Sequence, residues 1–138
     1  MIAEPVTLVV DASVCLKWHV PEAGSEAARA ILHGGASLVA PEILVAEVAN
    51  ALWQKARRTD LTAARCLEIV DSVAVNAPIR FTPSVRLAPG ALEIALAQTH
   101  PVYDCLYLAL AGTLGVPLVT ADQRLHAAVR GSRWESVV

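Results

Sequence analysis

Short apolar runs alternate with stretches of helical period along the whole chain, and that alternation limits the folds open to it. Val6 to Val10 is a β-rich run bounded by Pro5 and Asp11. Ser37 to Ala40, Ile79 to Thr82 and Pro117 to Thr120 are runs of the same kind, and Glu135 to Val138 reads as a last short strand. Val6 to Val10 is apolar throughout apart from Thr7, so it reads as a strand buried on both faces. A helical stretch follows it, and a second spans about Pro21 to Leu32, ended by Gly34 and Gly35. Pro41 sits where the first turn of a helix tolerates proline. Beyond it Ile43, Leu44, Val48, Ala51 and Leu52 repeat at helical spacing, up to a basic end at Lys55, Arg57 and Arg58. Asp60 or Thr62 caps the next helix, which runs to about Val75. Leu92 to Gln98 and Tyr103 to Leu114 read as helices, and Asp122 opens one more, to about Arg130. Strands alternating with helices predict an α/β fold, a parallel sheet with helices on both faces. Binding and catalytic sites in such sheets lie at the carboxyl ends of the strands.

The chain has 138 residues, which suits one domain over 1–138. Its 55% hydrophobic content excludes intrinsic disorder, and its net charge of −2 excludes a basic nucleic-acid arm. The longest uncharged stretch, Cys105 to Ala121, contains Gly112, Gly115 and Pro117 and is too short to span a membrane. The segment Met1 to Pro5 lacks the basic start of a secretory signal. Cys15, Cys66 and Cys105 are odd in number and lack metal-site spacing, so free thiols in a reducing cytoplasm are expected.

The chemical signal is the placement of four carboxylates. Asp11 directly follows one strand, and Asp122 comes two residues after Thr120 on another. Both therefore belong at the carboxyl edge of the sheet, although each alone also reads as a loop or N-cap residue. Glu47 and Asp104 fall on mostly apolar helix faces, where acids are rarely buried without a partner. No Lys or Arg stands one turn from either, so a local helical ion pair is not expected. If the four converge, each like-charged pair at ~5 Å costs about 3 kcal/mol at an effective dielectric near 20. Such a group must be protonated or neutralised by a cation. All-oxygen donors with no His or Cys pair favour Mg²⁺ or Mn²⁺ over Zn²⁺. A carboxylate-held Mg²⁺ is suited to activating water on a phosphodiester.

The segments VVDASV (Asp11, Ser13), APEILVAEVANALW (Glu47, Asn50), YDCLYLALA (Asp104) and LVTADQRL (Thr120, Asp122) resemble the PIN-domain ribonucleases. More narrowly, they are similar to VapC toxins of type II toxin–antitoxin modules. The resemblance covers essentially the whole chain, in order. It implies an α/β/α sandwich around a parallel β-sheet, a homodimer, and a Mg²⁺- or Mn²⁺-dependent endoribonuclease silenced by a cognate VapB-type antitoxin. By position, Asp11, Glu47, Asp104 and Asp122 match the family's acidic, metal-holding catalytic site. Ser13 and Thr120 match the small hydroxyl residues beside it. Asn50 lies one turn from Glu47, where it either assists or faces another helix.

The remaining signals are weaker. RNA requires cations, and Lys17 and Arg124 are placed nearest the acids in sequence, ahead of Lys55, Arg57, Arg58, Arg130 and Arg133. For Trp18, Trp53, Tyr103, Tyr107 and Cys105, core or interface packing is the default reading. A phosphoacceptor domain is disfavoured because the Ile79 strand carries no acid and no Lys follows Lys55. A D-x-D phosphatase is disfavoured because Ser13 stands where its second Asp belongs. A catalytically silent module that binds only antitoxin and operator is the alternative function.

Overall fold

The computed structural model describes residues 5–59, 61–132 and 134. Asp60, Arg133 and the strand expected at Glu135 to Val138 lie outside them. Four strands are described: β1 (Thr7–Val10), β2 (Ser37–Pro41), β3 (Ile79–Thr82) and β4 (Leu118–Val119). The helices are α1 (Ala12–His19), α2 (Ser25–His33), α3 (Ile43–Arg58), α4 (Ala63–Val75), α5 (Ser84–Gln98), α6 (Val102–Leu114) and α7 (Gln123–Val129).

The strands form one sheet in the order β3-β2-β1-β4, and every pairing is parallel. Val9 and Val10 at its centre are wholly buried, as an all-parallel sheet requires. α6 is buried from Cys105 to Ala111 without a polar face, and it packs on β1, β2 and β4. α5 lies against α6, while α1 packs on α2 and α3, and α3 on α4. The parallel sheet follows the alternation of periods, and the α/β sandwich is the one the family resemblance implied.

Strand order sets where a site can form. The chain winds outward from β1 through β2 to β3, then returns to place β4 on the other side of β1. The order reverses at β1, and the crevice at the carboxyl ends lies there. α3 leaves the carboxyl end of β2, so Glu47, in its second turn, stays near that edge. α6 leads into the amino end of β4, so its own N-terminus, with Asp104, comes to the carboxyl edge.

Three local expectations are corrected. Pro41 is the last residue of β2, paired with Thr82, and α3 begins at Ile43 instead. The Glu42 N–H continues the pairing by donating to the Thr82 carbonyl at 2.9 Å, so a proline without a donor fits the position before it. α5 starts at Ser84, well before Leu92, and runs through Pro89. Proline inside a helix costs about 3 kcal/mol, but burial of Leu87 and Ile94 at about 2–3 kcal/mol each outweighs it. α2 starts at Ser25 rather than near Pro21, because Gly24, with φ 86°, turns the chain first. Thr62 caps α4, accepting the Arg65 N–H at 3.1 Å.

Candidate active site

Asp11 directly follows β1 and caps α1, so both strand and helix position its carboxylate. Its Oδ1 accepts the Ser13 hydroxyl at 2.6 Å and the Val14 N–H at 3.1 Å, and its Oδ2 accepts the Thr120 hydroxyl. The Ala121 N–H donates to Ser13 Oγ and the Asp122 N–H to Thr120 Oγ1, each at 3.0 Å. Ser13 and Thr120 thus tie the start of α1 to the segment after β4, around an acid only 6% exposed. Asp122 caps α7, its Oδ1 accepting the Arg124 N–H at 2.9 Å.

Glu47 is half-buried on α3 and meets α6, where the Tyr107 hydroxyl donates to its Oε1 at 2.5 Å. Asp104 Oδ2 lies 2.7 Å from His100 Nε2. With Asp104 ionised, the imidazole N–H is the donor. Asp104 therefore does have a partner one turn away, contrary to the expectation drawn from Lys and Arg alone. His100 was legible as a strong side-chain donor one turn from Asp104, whereas Tyr107, read as a packing residue, also bonds Glu47 on another helix.

Electrostatics connects the four acids. Burial pushes the Asp11 carboxyl above its ordinary range; the hydroxyls of Ser13 and Thr120 and the Val14 N–H oppose that, and the charge of Asp122 adds to it. Burial also raises Glu47; the Tyr107 hydroxyl opposes the rise, while Asp104 and Asp11 reinforce it. Asp122 thus acts on Asp11, Asp11 on Glu47, and Asp104 on Glu47. Burial, with help from Glu47, raises the Tyr107 hydroxyl far above its usual range, so it remains a donor at any ordinary pH. The Cys105 thiol is pushed up to about 11 by burial and by Asp104, which suits a small core residue rather than a nucleophile.

The donor chemistry fits a hard divalent cation, since the acids offer only oxygen. Among the described residues no three His, Cys, Asp or Glu side chains are drawn into a ready-made cage. The four acids are linked through their charges, Asp122 to Asp11 and both Asp11 and Asp104 to Glu47.

The other expected residues fall in distinct places. Asn50 is exposed and shares a cleft with Glu47, Gln54 and Tyr103. Arg124 is 90% exposed on its side chain, with Nε 3.6 Å from Asp122 Oδ1. It shares a cleft with His100 and Asp104. Lys17 is not turned to the acids: its Nζ holds Glu22 at 3.1 Å and the Ala23 carbonyl at 2.8 Å. Lys55 holds the same Glu22 at 2.7 Å. Trp18 is buried, its indole N–H donating to the Ala28 carbonyl. Trp53 lines an apolar groove between α3 and α4, under the Arg57 guanidinium at 4.7 Å.

Comparison with known proteins places this geometry. The PIN domain family model matches residues 8–131. Ribonuclease VapC3 of Pyrobaculum aerophilum is 32% identical over 119 residues, covering 86% of this chain and 91% of that one. Ribonuclease VapC12 of Mycobacterium tuberculosis is 34% identical over 119 residues, covering 86% and 88%. The crystal structure of PAE2754 from Pyrobaculum aerophilum superposes with a TM-score of 0.65 at 25% identity, covering 92% of this chain and 87% of that one. That of Mycobacterium tuberculosis VapC20, a sarcin–ricin-loop-cleaving toxin, gives 0.70 at 14% identity, covering 88% and 94%, and speaks to the fold. The chain belongs to the PIN-domain family and, within it, to the VapC-type ribonucleases.

Proposed function

We propose that the protein is a metal-dependent endoribonuclease toxin of the cytoplasm, neutralised by a VapB-type antitoxin. The observation that carries this reading is the set of four acids at the carboxyl edge of the sheet that repel one another in pairs, two of them with raised proton affinity. Asp11, Glu47, Asp104 and Asp122 would hold Mg²⁺ or Mn²⁺. Such an ion supplies charge neutralisation at the phosphodiester and an acidified water.

The chain's own side chains set up the rest. Ser13, Thr120 and the Val14 N–H fix both oxygens of Asp11. Tyr107 holds one oxygen of Glu47 and fixes how that carboxylate is presented to the cation. Arg124, exposed beside Asp122, is the cation best placed to meet an RNA phosphate. Lys17, committed to Glu22, is left out of that role. Asn50, exposed in the cleft beside Glu47, would assist that acid from one turn away. A homodimer would cover the apolar stripe of Val85, Leu92 and Leu96 exposed along α5.

Expression without antitoxin tests the reading. Growth arrest that Asp11→Asn and Asp104→Asn relieve, at equal protein levels, is expected. Equal levels matter because a destabilised variant loses toxicity through abundance. Undiminished toxicity of both variants would mean that these acids are structural, and toxicity that never appears would favour a silent binding module.

A further inference from the structure

His100 sits at a junction that the chain maintains against local preference. α5 ends at Thr99, whose φ of 51° and ψ of 53° place a β-branched residue in the left-handed region. No other non-glycine among the described residues has positive φ. The Thr99 and His100 N–H groups both turn back to the Ala95 carbonyl, the latter at 3.2 Å. Pro101 then opens α6 as its N-cap and bars a helical conformation at His100. The histidine is thus clamped between two helix ends, its side chain only 13% exposed, with Nε2 on Asp104 Oδ2. A strained residue is retained where the surrounding structure or the function holds it, and here it delivers one imidazole to one carboxylate.

That carboxylate stands in the first turn of α6, whose N-cap has no side-chain bond. We infer that His100 is a positioning residue: its Nε2–H takes Oδ2 of Asp104 and so commits the other oxygen to the divalent cation. This rests on the metal-dependent reading of the same site. It parallels the neighbouring acids, since Glu47 has one oxygen held by Tyr107, and Asp122 has one held by the Arg124 N–H. Partners of this kind orient ligating carboxylates and set metal affinity. His100 also shares the Asp104 cleft with Arg124, so the bond it makes lies at the mouth through which a phosphate would approach.

The test is Mn²⁺ binding by titration calorimetry on wild type, His100→Ala, His100→Gln and His100→Asn, with thermal unfolding in EDTA alongside. Glutamine places an N–H donor near the position of Nε2, whereas asparagine places one near Nδ1, too short to reach. Loss of affinity by about tenfold or more in the Ala and Asn variants, with recovery in the Gln variant, is the expected result, the EDTA melts showing that each variant folds. If the Ala variant does not fold, the Gln and Asn pair decides alone. Equal Mn²⁺ affinity in all folded variants, or loss in the Gln variant equal to that in Asn, would overturn the positioning role. Wild type that takes up no Mn²⁺ would instead overturn the metal-site reading on which the role rests.

Discussion

Tyr107→Phe isolates one bond at the centre of the site. The change removes only the hydroxyl that donates to Glu47 Oε1 at 2.5 Å, in a side chain otherwise packed in the core. A hydrogen bond to a charged group contributes about 1.5–3 kcal/mol. Glu47 is half-buried, so water replaces part of the loss, and about 1–2 kcal/mol of destabilisation is expected at neutral pH. For a chain of this length that is a fall in Tm of roughly 3–7 °C. The pH dependence has a definite sign. The folded Glu47 carboxyl already binds its proton more tightly than an unfolded one, because burial and the charges of Asp104 and Asp11 outweigh Tyr107. Acidification through that raised range therefore favours the folded state relative to the unfolded one. Without the hydroxyl the folded carboxyl rises further, so the variant regains more than wild type, and the gap between them narrows as pH falls. Thermal unfolding of both proteins in EDTA from neutral to mildly acidic pH measures it. An unchanged Tm at neutral pH, or a gap that widens on acidification, would refute the reasoning.

Three further outcomes follow from the same structure. Asp104→Asn removes a charge facing Glu47, so it should raise the melting temperature in EDTA and shrink the stabilisation gained from Mn²⁺; the control Glu93→Gln should do neither. Burial would raise Glu22, but the hydrogen bonds and charges of Lys55 and Lys17 outweigh it and hold the carboxyl below its usual range. Its contribution, about 1 kcal/mol for two partly exposed pairs, should be complete above the unfolded value and vanish as pH falls through the folded one; unfolding of wild type and Glu22→Gln across that range reads it. Leu96→Glu places a charge on the exposed α5 stripe and should shift a homodimer toward monomer in light scattering while leaving the far-UV circular dichroism intact.

The sheet and its carboxyl edge were legible because buried strands and amphipathic helices announce themselves over a few residues. Asp11 and Asp122 could be placed at that edge from their neighbours alone. The helix expected from Leu92 begins at Ser84 and runs through Pro89, because the packing that holds its early turns comes from α6, beyond any local window. The Tyr107–Glu47 bond joins residues 60 apart, and no periodicity reveals a contact of that kind. Lys17 was misjudged for the converse reason: nearness to Asp11 in sequence says nothing of Glu22, which claims it five residues later. His100 was within local reach, one turn from Asp104, and only the restriction of ion pairs to Lys and Arg hid it.

Cleavage of RNA by the purified protein with Mg²⁺ or Mn²⁺, set against the same reaction in EDTA and against Asp11→Asn with metal, tests the central claim most directly. The account predicts cleavage only in wild type with a divalent ion. Full cleavage in EDTA, or by Asp11→Asn, would contradict it.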